Sequence, residues 1–154
     1  MFKKFSILTL LLLGINSICA NEAPYPLYPI TLKIHDIIRS GKAYIQPNPE
    51  IEGSGRYFHA YILIDASVQD VYNVVKKIQD YPQFMPHIVN VDAVPVDEGT
   101  NFRYFLQLPL GIEYQYETSY QSYSSPNEAW LTWKLEDWEE NNIEDTWGQW
   151  VISP

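Results

Sequence analysis

Apolar residues change their period along this chain, from helical spacing to strict alternation, and each change marks an element. Ile30, Ile34, Ile37 and Ile38 recur at helical spacing ahead of Gly41, predicting a short amphipathic helix that Gly41 caps. A brief strand over residues 41–46 and a loop punctuated by Pro47, Pro49, Gly53 and Gly55 follow. From Arg56 to Asp65 the period becomes two, with Phe58, Ala60, Ile62 and Ile64 on one face and Tyr57, His59 and Tyr61 on the other. Ser67 reads as an N-cap with Asp70 three residues on, and Val68, Val71, Tyr72, Val75 and Ile78 stripe the helix behind it. Pro82 should stop that helix, leaving Gln83-Phe84-Met85-Pro86 as a tight elbow with Phe84 and Met85 buried against the sheet.

Beyond Ile88 the pattern predicts consecutive strands over residues 89–96, 102–108, 112–121, 129–138 and 143–152. The third alternates most cleanly, with Ile112, Tyr114, Tyr116, Thr118 and Tyr120 against Glu113, Gln115, Glu117, Ser119 and Gln121, as a strand with one wet face does. One strand, two small helical segments and a run of antiparallel strands make an α+β class. Aromatics at 15% and hydrophobic residues at 46% supply enough apolar surface to exclude a disordered chain.

The N-terminus is a separate unit of meaning. Lys3-Lys4, an apolar run from Phe5 to Ile15 and small Ala20 have the layout of a secretory signal, expected to be cut after Ala20. The run is too short to span a bilayer, so no stable membrane anchor is expected after cleavage. Cleavage would remove Cys19, the single cysteine, and with it any disulfide or thiol chemistry. A disulfide-free exported domain suits a bacterial periplasm, or secretion. The chain carries 10 basic and 19 acidic residues; losing Lys3 and Lys4 leaves 8 against 19, a net −11. Such a surface repels phosphate backbones, which argues against nucleic acid as a partner. The expected organisation is a signal over 1–20, a proline-rich leader with a short helix and loop over 21–54, and a folded domain over 55–154.

Two stretches resemble a known family. Ala66-Ser67-Val68-Gln69-Asp70-Val71-Tyr72 and Asp80-Tyr81-Pro82-Gln83-Phe84-Met85-Pro86 are similar to the opening of the START-like superfamily, of the polyketide cyclase/dehydrase and coenzyme Q-binding type. Trp130-Leu131-Thr132-Trp133-Lys134-Leu135 and Gly148-Gln149-Trp150 are similar to its central strands. The resemblance implies a helix-grip fold, in which a curved antiparallel sheet wraps a long C-terminal helix around an apolar ligand cavity. Ending at Pro154, the chain departs from that pattern in its last strand and helix, so residues 55–154 are expected to form an incomplete START-like domain.

The chemistry is carried by rings. Tyr104, Tyr114, Tyr116, Tyr120, Trp130, Trp133 and Trp147 fall on neighbouring strands, and rings with a polar handle can line a pocket for a lipid, quinone or polyketide-like molecule. With Phe84 and Met85 from the elbow, Tyr104, Tyr114, Tyr116, Trp130, Trp133 and Trp147 are the candidate ligand-binding residues. His35, His59 and His87 lie far apart with no ligand spacing, and no phosphate loop, nucleophile elbow or metal-protease motif occurs, so no metal, cofactor or catalytic residue is assigned. The acidic run Glu136, Asp137, Glu139, Glu140, Glu144 and Asp145 around Asn141-Asn142 reads as a solvated hairpin tip rather than a calcium loop or a glycosidase carboxylate pair. The expectation is a carrier of a small hydrophobic ligand. The alternatives are a cyclase- or hydrolase-like enzyme using cavity Tyr and His groups, and a truncated remnant that binds nothing.

Overall fold

Ser67 starts the second helix as its position in the sequence requires. Its hydroxyl oxygen accepts the Asp70 N–H at 3.1 Å and donates to the Asp70 carboxylate at 2.6 Å, so one of the helix's open N–H groups is satisfied locally. The computed structural model describes residues 6–11, 29–47 and 58–154, the first stretch for its backbone only. The remainder of the expected signal, most of the proline-rich leader and the Pro49–Gly55 loop lie outside the described residues.

The class is α+β. In chain order the strands are β1 (Ser6–Leu11), β2 (Tyr44–Pro47), β3 (Phe58–Ile64), β4 (Ile88–Val96), β5 (Gly99–Leu108), β6 (Ile112–Ser124), β7 (Ala129–Leu135) and β8 (Trp147–Ser153). Helices α1 (Leu32–Arg39) and α2 (Val68–Val75) are accompanied by a 3-10 segment, Ile78–Gln83. From α1 to β8 these follow the sequence pattern, while β1 falls in the run read as a signal and several ends shift. The helix ends at Val75 rather than at Pro82, which instead sits inside the 3-10 segment. The last strand begins at Trp147, four residues later than alternation suggested.

The described chain divides into two compact units. The first holds the described residues within 1–75 together with 122–132 and 147–154, with β2, β3, β1, β8 and the opening of β7 in that order. Val68, Val71, Tyr72 and Val75 of α2 pack on Ile64, Ala129, Trp150 and Ile152. Ile34 and Ile38 of α1 pack on Tyr44, Tyr61 and Leu63. Leu63 and Ile64 are adjacent on β3 and therefore point to opposite faces, so the two helices cover opposite sides of this part of the sheet. Both sides are deeply buried: His59 and Tyr61 are each 1% exposed on the α1 side, and Ala129 and Ile152 are 0% exposed under α2. Helix α1 comes from the expected leader region, 21–54, and its stripe is part of this core. Gly41 follows it in the left-handed region at φ +79, as a helix-terminating glycine does.

Strand β1 lies inside the segment read as a signal, and it is antiparallel to both β3 and β8. Cleavage after Ala20 would take it from between them and leave two open strand edges. The second unit, residues 76–121 and 133–146, is built on the antiparallel strands β4, β5 and β6. A register shift between Ile88 and Asn90 makes a bulge at the start of β4, next to His87, which is left-handed at φ 72.

Protein produced from Asn21 onward should therefore unfold at lower denaturant than the full chain or self-associate through the β3 and β8 edges. Urea melts and sedimentation of the two forms, with intact mass to fix the N-terminus, check this. Equal midpoints and a monomeric Asn21 form would show that β1 contributes nothing.

Candidate functional site: a tyrosine face on β5 and β6

Register decides which rings meet. β5 and β6 pair so that Tyr104 faces Tyr116, Phe102 faces Thr118 and Leu106 faces Tyr114. Even-numbered residues of both strands therefore share one face. The Tyr104 and Tyr116 rings stack at 5.1 Å between centroids and 13° between planes. Tyr120, further along the same face, joins its hydroxyl to that of Tyr104 in a very short hydrogen bond. Phe102 meets the Tyr120 ring edge-on at 5.5 Å, and Trp133 of β7 lies 6.5 Å from it. From the 3-10 segment, Tyr81 brings its ring to 6.3 Å from Tyr104 and to 5.5 Å from Phe84. Aromatic contacts of this kind add about 0.5–1.5 kcal/mol each beyond area burial.

The electrostatics follow from burial. Desolvation pushes the phenol of Tyr116 up to about 12. Desolvation also raises Tyr104 far above the ordinary tyrosine range, and the neighbouring Tyr120 raises it further. Tyr120 is raised by burial too, although hydrogen bonds from the Tyr104 and Thr118 hydroxyls partly offset the rise. All three phenols keep their protons at neutral pH. They can donate or accept hydrogen bonds, and they cannot act as bases.

The opposite face of β5 and β6 is ionic. Arg103 faces Glu117, and its Nε donates to Glu117 Oε2 at 2.7 Å, while Asn101 Nδ2 donates to Oε1 at 2.7 Å. The Arg103 guanidinium lies 4.6 Å over the Trp138 ring. Glu117, expected on a wet face, is only 7% exposed. The acidic segment after β7 explains why. Glu136 N–H donates to the Glu117 carbonyl at 2.9 Å, Asn141 Oδ1 accepts the Glu117 N–H at 2.9 Å, and Asn142 Oδ1 accepts the Gln115 N–H at 2.8 Å. Asn142 N–H donates in turn to the Gln115 carbonyl at 3.1 Å. Asn141-Asn142 is thus a side-chain clamp along β6 rather than a free hairpin tip. Burial alone would raise the Glu136 carboxyl, but the Ser119 hydroxyl, which donates to it at 2.5 Å, and the Lys134 ammonium hold it below the usual range. Among the described residues no group of His, Cys, Asp and Glu could hold a metal ion. No described helix is long and apolar enough to cross a membrane.

Residues 64–141, just over half of the chain, match the family model described as polyketide cyclase / dehydrase and lipid transport. The chain belongs to that family. No curated protein and no solved structure matched it. The α+β arrangement of small helices against an antiparallel sheet is that of the START-like helix-grip fold expected from the motifs around Ser67 and Pro82.

The matched region contains every member of the ring cluster. Of the candidates named from the sequence, Tyr104, Tyr116 and Trp133 are brought together there, and Phe84 joins through Tyr81. Tyr114 lies on the same face opposite Leu106, half-buried, and Met85 is half-buried at the elbow. Trp130 and Trp147 are buried in the first unit, where Trp130 stacks on Tyr123 at 6.0 Å and 25°. Trp130 and Trp133 are three positions apart on one strand, and a pleat sends such a pair to opposite faces. Phe84 is 51% exposed, against the expectation of a buried ring. Ile78 and Tyr81 share the inward side of the 3-10 turn, and Phe84 leaves the helical path at φ −141, so Tyr81, 3% exposed, takes the inner place. Tyr81, part of the elbow motif, was not among the candidates, and its three-residue spacing from Ile78 was the signal. His59 is buried in the first unit, and His87 is exposed, its Nδ1 3.2 Å from the Gln107 carbonyl.

Two outcomes are expected. In an alkaline titration followed by near-ultraviolet absorbance, Tyr104, Tyr116 and Tyr120 should resist ionisation well above the free-tyrosine value of about 10. Because their folded pKa values are raised, their contribution to stability is complete below about pH 10 and is lost as pH climbs through about 12 and beyond. A single transition of all tyrosines near pH 10 without unfolding would contradict the burial. Separately, Glu117→Ala should destabilise by about 1.5–3 kcal/mol, since it strips partners from Arg103 and Asn101. Glu117→Gln should recover part of that loss in the same urea melts.

Proposed function

We propose that the tyrosine face binds a small apolar molecule bearing an oxygen atom, of the lipid, quinone or polyketide-like kind, and carries it without chemical change. The observation that carries the reading is the hydroxyl pairing of Tyr104 and Tyr120 beside the stacked Tyr116 ring. Rings give an apolar wall, and neutral phenols give a donor to a carbonyl or hydroxyl oxygen at one place on that wall. The family description, which names lipid transport, supports the same class of ligand. Protonated phenols with raised pKa values suit recognition better than proton abstraction. Export is part of the proposal, supported by Lys3-Lys4 and the Phe5–Ile15 run.

The test is a binding series with a benzoquinone carrying an alkyl tail and with the alkane alone. Tyr116→Phe and Tyr120→Phe should weaken quinone binding by about two- to tenfold, the worth of a hydrogen bond, and leave alkane binding unchanged. Equal losses for both probes, or no binding of either by the full chain, would defeat the proposal.

A further inference from the structure

Among the described residues, two that are not glycine adopt a left-handed backbone, His87 at φ 72 and Leu110 at φ 70. Both lie at the same end of the second unit. His87 opens β4, Leu110 sits in the Pro109–Gly111 turn between β5 and β6, and Gln107 ties the two places together. Its N–H donates to the His87 carbonyl at 2.8 Å, and its own carbonyl lies 3.2 Å from the His87 ring. Left-handed conformations disfavour side chains with a Cβ, and such strain gathers where a protein uses the presented group. Here the presented group is apolar. Leu110 is 98% exposed, and Val89 at the β4 bulge, Phe84 and Ile112 are 56%, 51% and 46% exposed.

We propose that this end, residues 84–89 with 108–112, docks on a lipid surface, with Leu110 inserted into the apolar boundary of a zwitterionic bilayer. Size and charge select that occupant. A protein partner needs roughly 800 Å² on each side, or about 20–30 residues, to form a stable interface, whereas the exposed large apolar side chains of these two stretches are Phe84, Val89, Leu110 and Ile112. Lipid takes up each apolar side chain separately, so a narrow tip suffices. Neither stretch contains Lys or Arg, Glu113 adjoins the turn, and the chain carries −9, so an anionic headgroup layer is not the match. The same unit holds the tyrosine face, which places a docking tip and a ligand wall on one compact body. The inference rests on the reading of this protein as a carrier of apolar ligands and adds the surface from which it would load.

Flotation of the full chain with phosphatidylcholine vesicles tests it. The protein should float with them, and adding phosphatidylglycerol should not increase binding. Leu110→Asn, which suits a left-handed turn, should lower partitioning by about tenfold, and Leu110→Phe should preserve it. Thermal melts should show Leu110→Phe close to wild type and Leu110→Asn no lower, because the side chain touches little and Asn suits the left-handed turn. Unchanged flotation of Leu110→Asn, binding that depends on phosphatidylglycerol, or a change in sedimentation showing that Leu110 joins two copies would each overturn the proposal. Native mass spectrometry for retained quinone separates the two readings: a protein that holds quinone but ignores vesicles loses only the docking tip, and one that docks but holds none loses only the ligand wall.

Discussion

A phenol buried on an apolar sheet face must keep its proton and find an oxygen to bond. That constraint organises the tyrosine face of the second unit. Tyr104 is 3% exposed, and its hydroxyl meets that of Tyr120 instead of water. The pairing fixes the Tyr104 ring, the Tyr104 ring fixes the stacked Tyr116 ring, and Tyr81 closes against the same ring from the 3-10 segment. An unpaired buried hydroxyl would cost about 1–3 kcal/mol, so Tyr104 and Tyr120 hold each other in place.

The ionic face of the same strands obeys a similar rule by other means. Glu117 is a carboxylate withdrawn from water, which is tolerable because Arg103 and Asn101 each hold one of its oxygens. Its withdrawal depends on the acidic segment after β7, whose Asn141 and Asn142 side chains bond to backbone groups that a neighbouring strand would otherwise pair. Asparagine carries an amide like that of the backbone, with donor and acceptor side by side, and here it substitutes for one. The segment's carboxylates stay near solvent while its two amides do the structural work.

The two faces divide the labour expected of a member of the polyketide cyclase / dehydrase and lipid transport family. One offers rings and neutral hydroxyls, suited to a molecule with an apolar body and an oxygen. The other uses charge to hold strand register, since Arg103 and Glu117 stand opposite each other only in the pairing that also sets Tyr104 against Tyr116. A slip of one residue would place Glu117 among the rings, so the ion pair protects the tyrosine face from the far side of the sheet.

Local chemistry was legible in the sequence. Ser67 and Asp70 announced the start of α2, Gly41 the end of α1, and the alternation from Ile112 to Gln121 the two faces of β6, because each rests on contacts within a few residues. Rings on neighbouring expected strands put Tyr104 and Tyr116 among the candidates. Alternation set Trp130 and Trp133, both candidates, on opposite faces, but it could not tell which of them joins the tyrosine face, since which face turns inward depends on partners distant in the chain. Nor could it show Tyr81 displacing Phe84 from the inner position, because that exchange depends on a 3-10 turn in place of an α-helix. Burial of Glu117 was decided by a segment some twenty residues away wrapping back along β6, and His87 meets the end of β5 through its hydrogen bond with Gln107. Period and capping are written residue by residue, whereas register, facing and long-range hydrogen bonds exist only after the strands have paired.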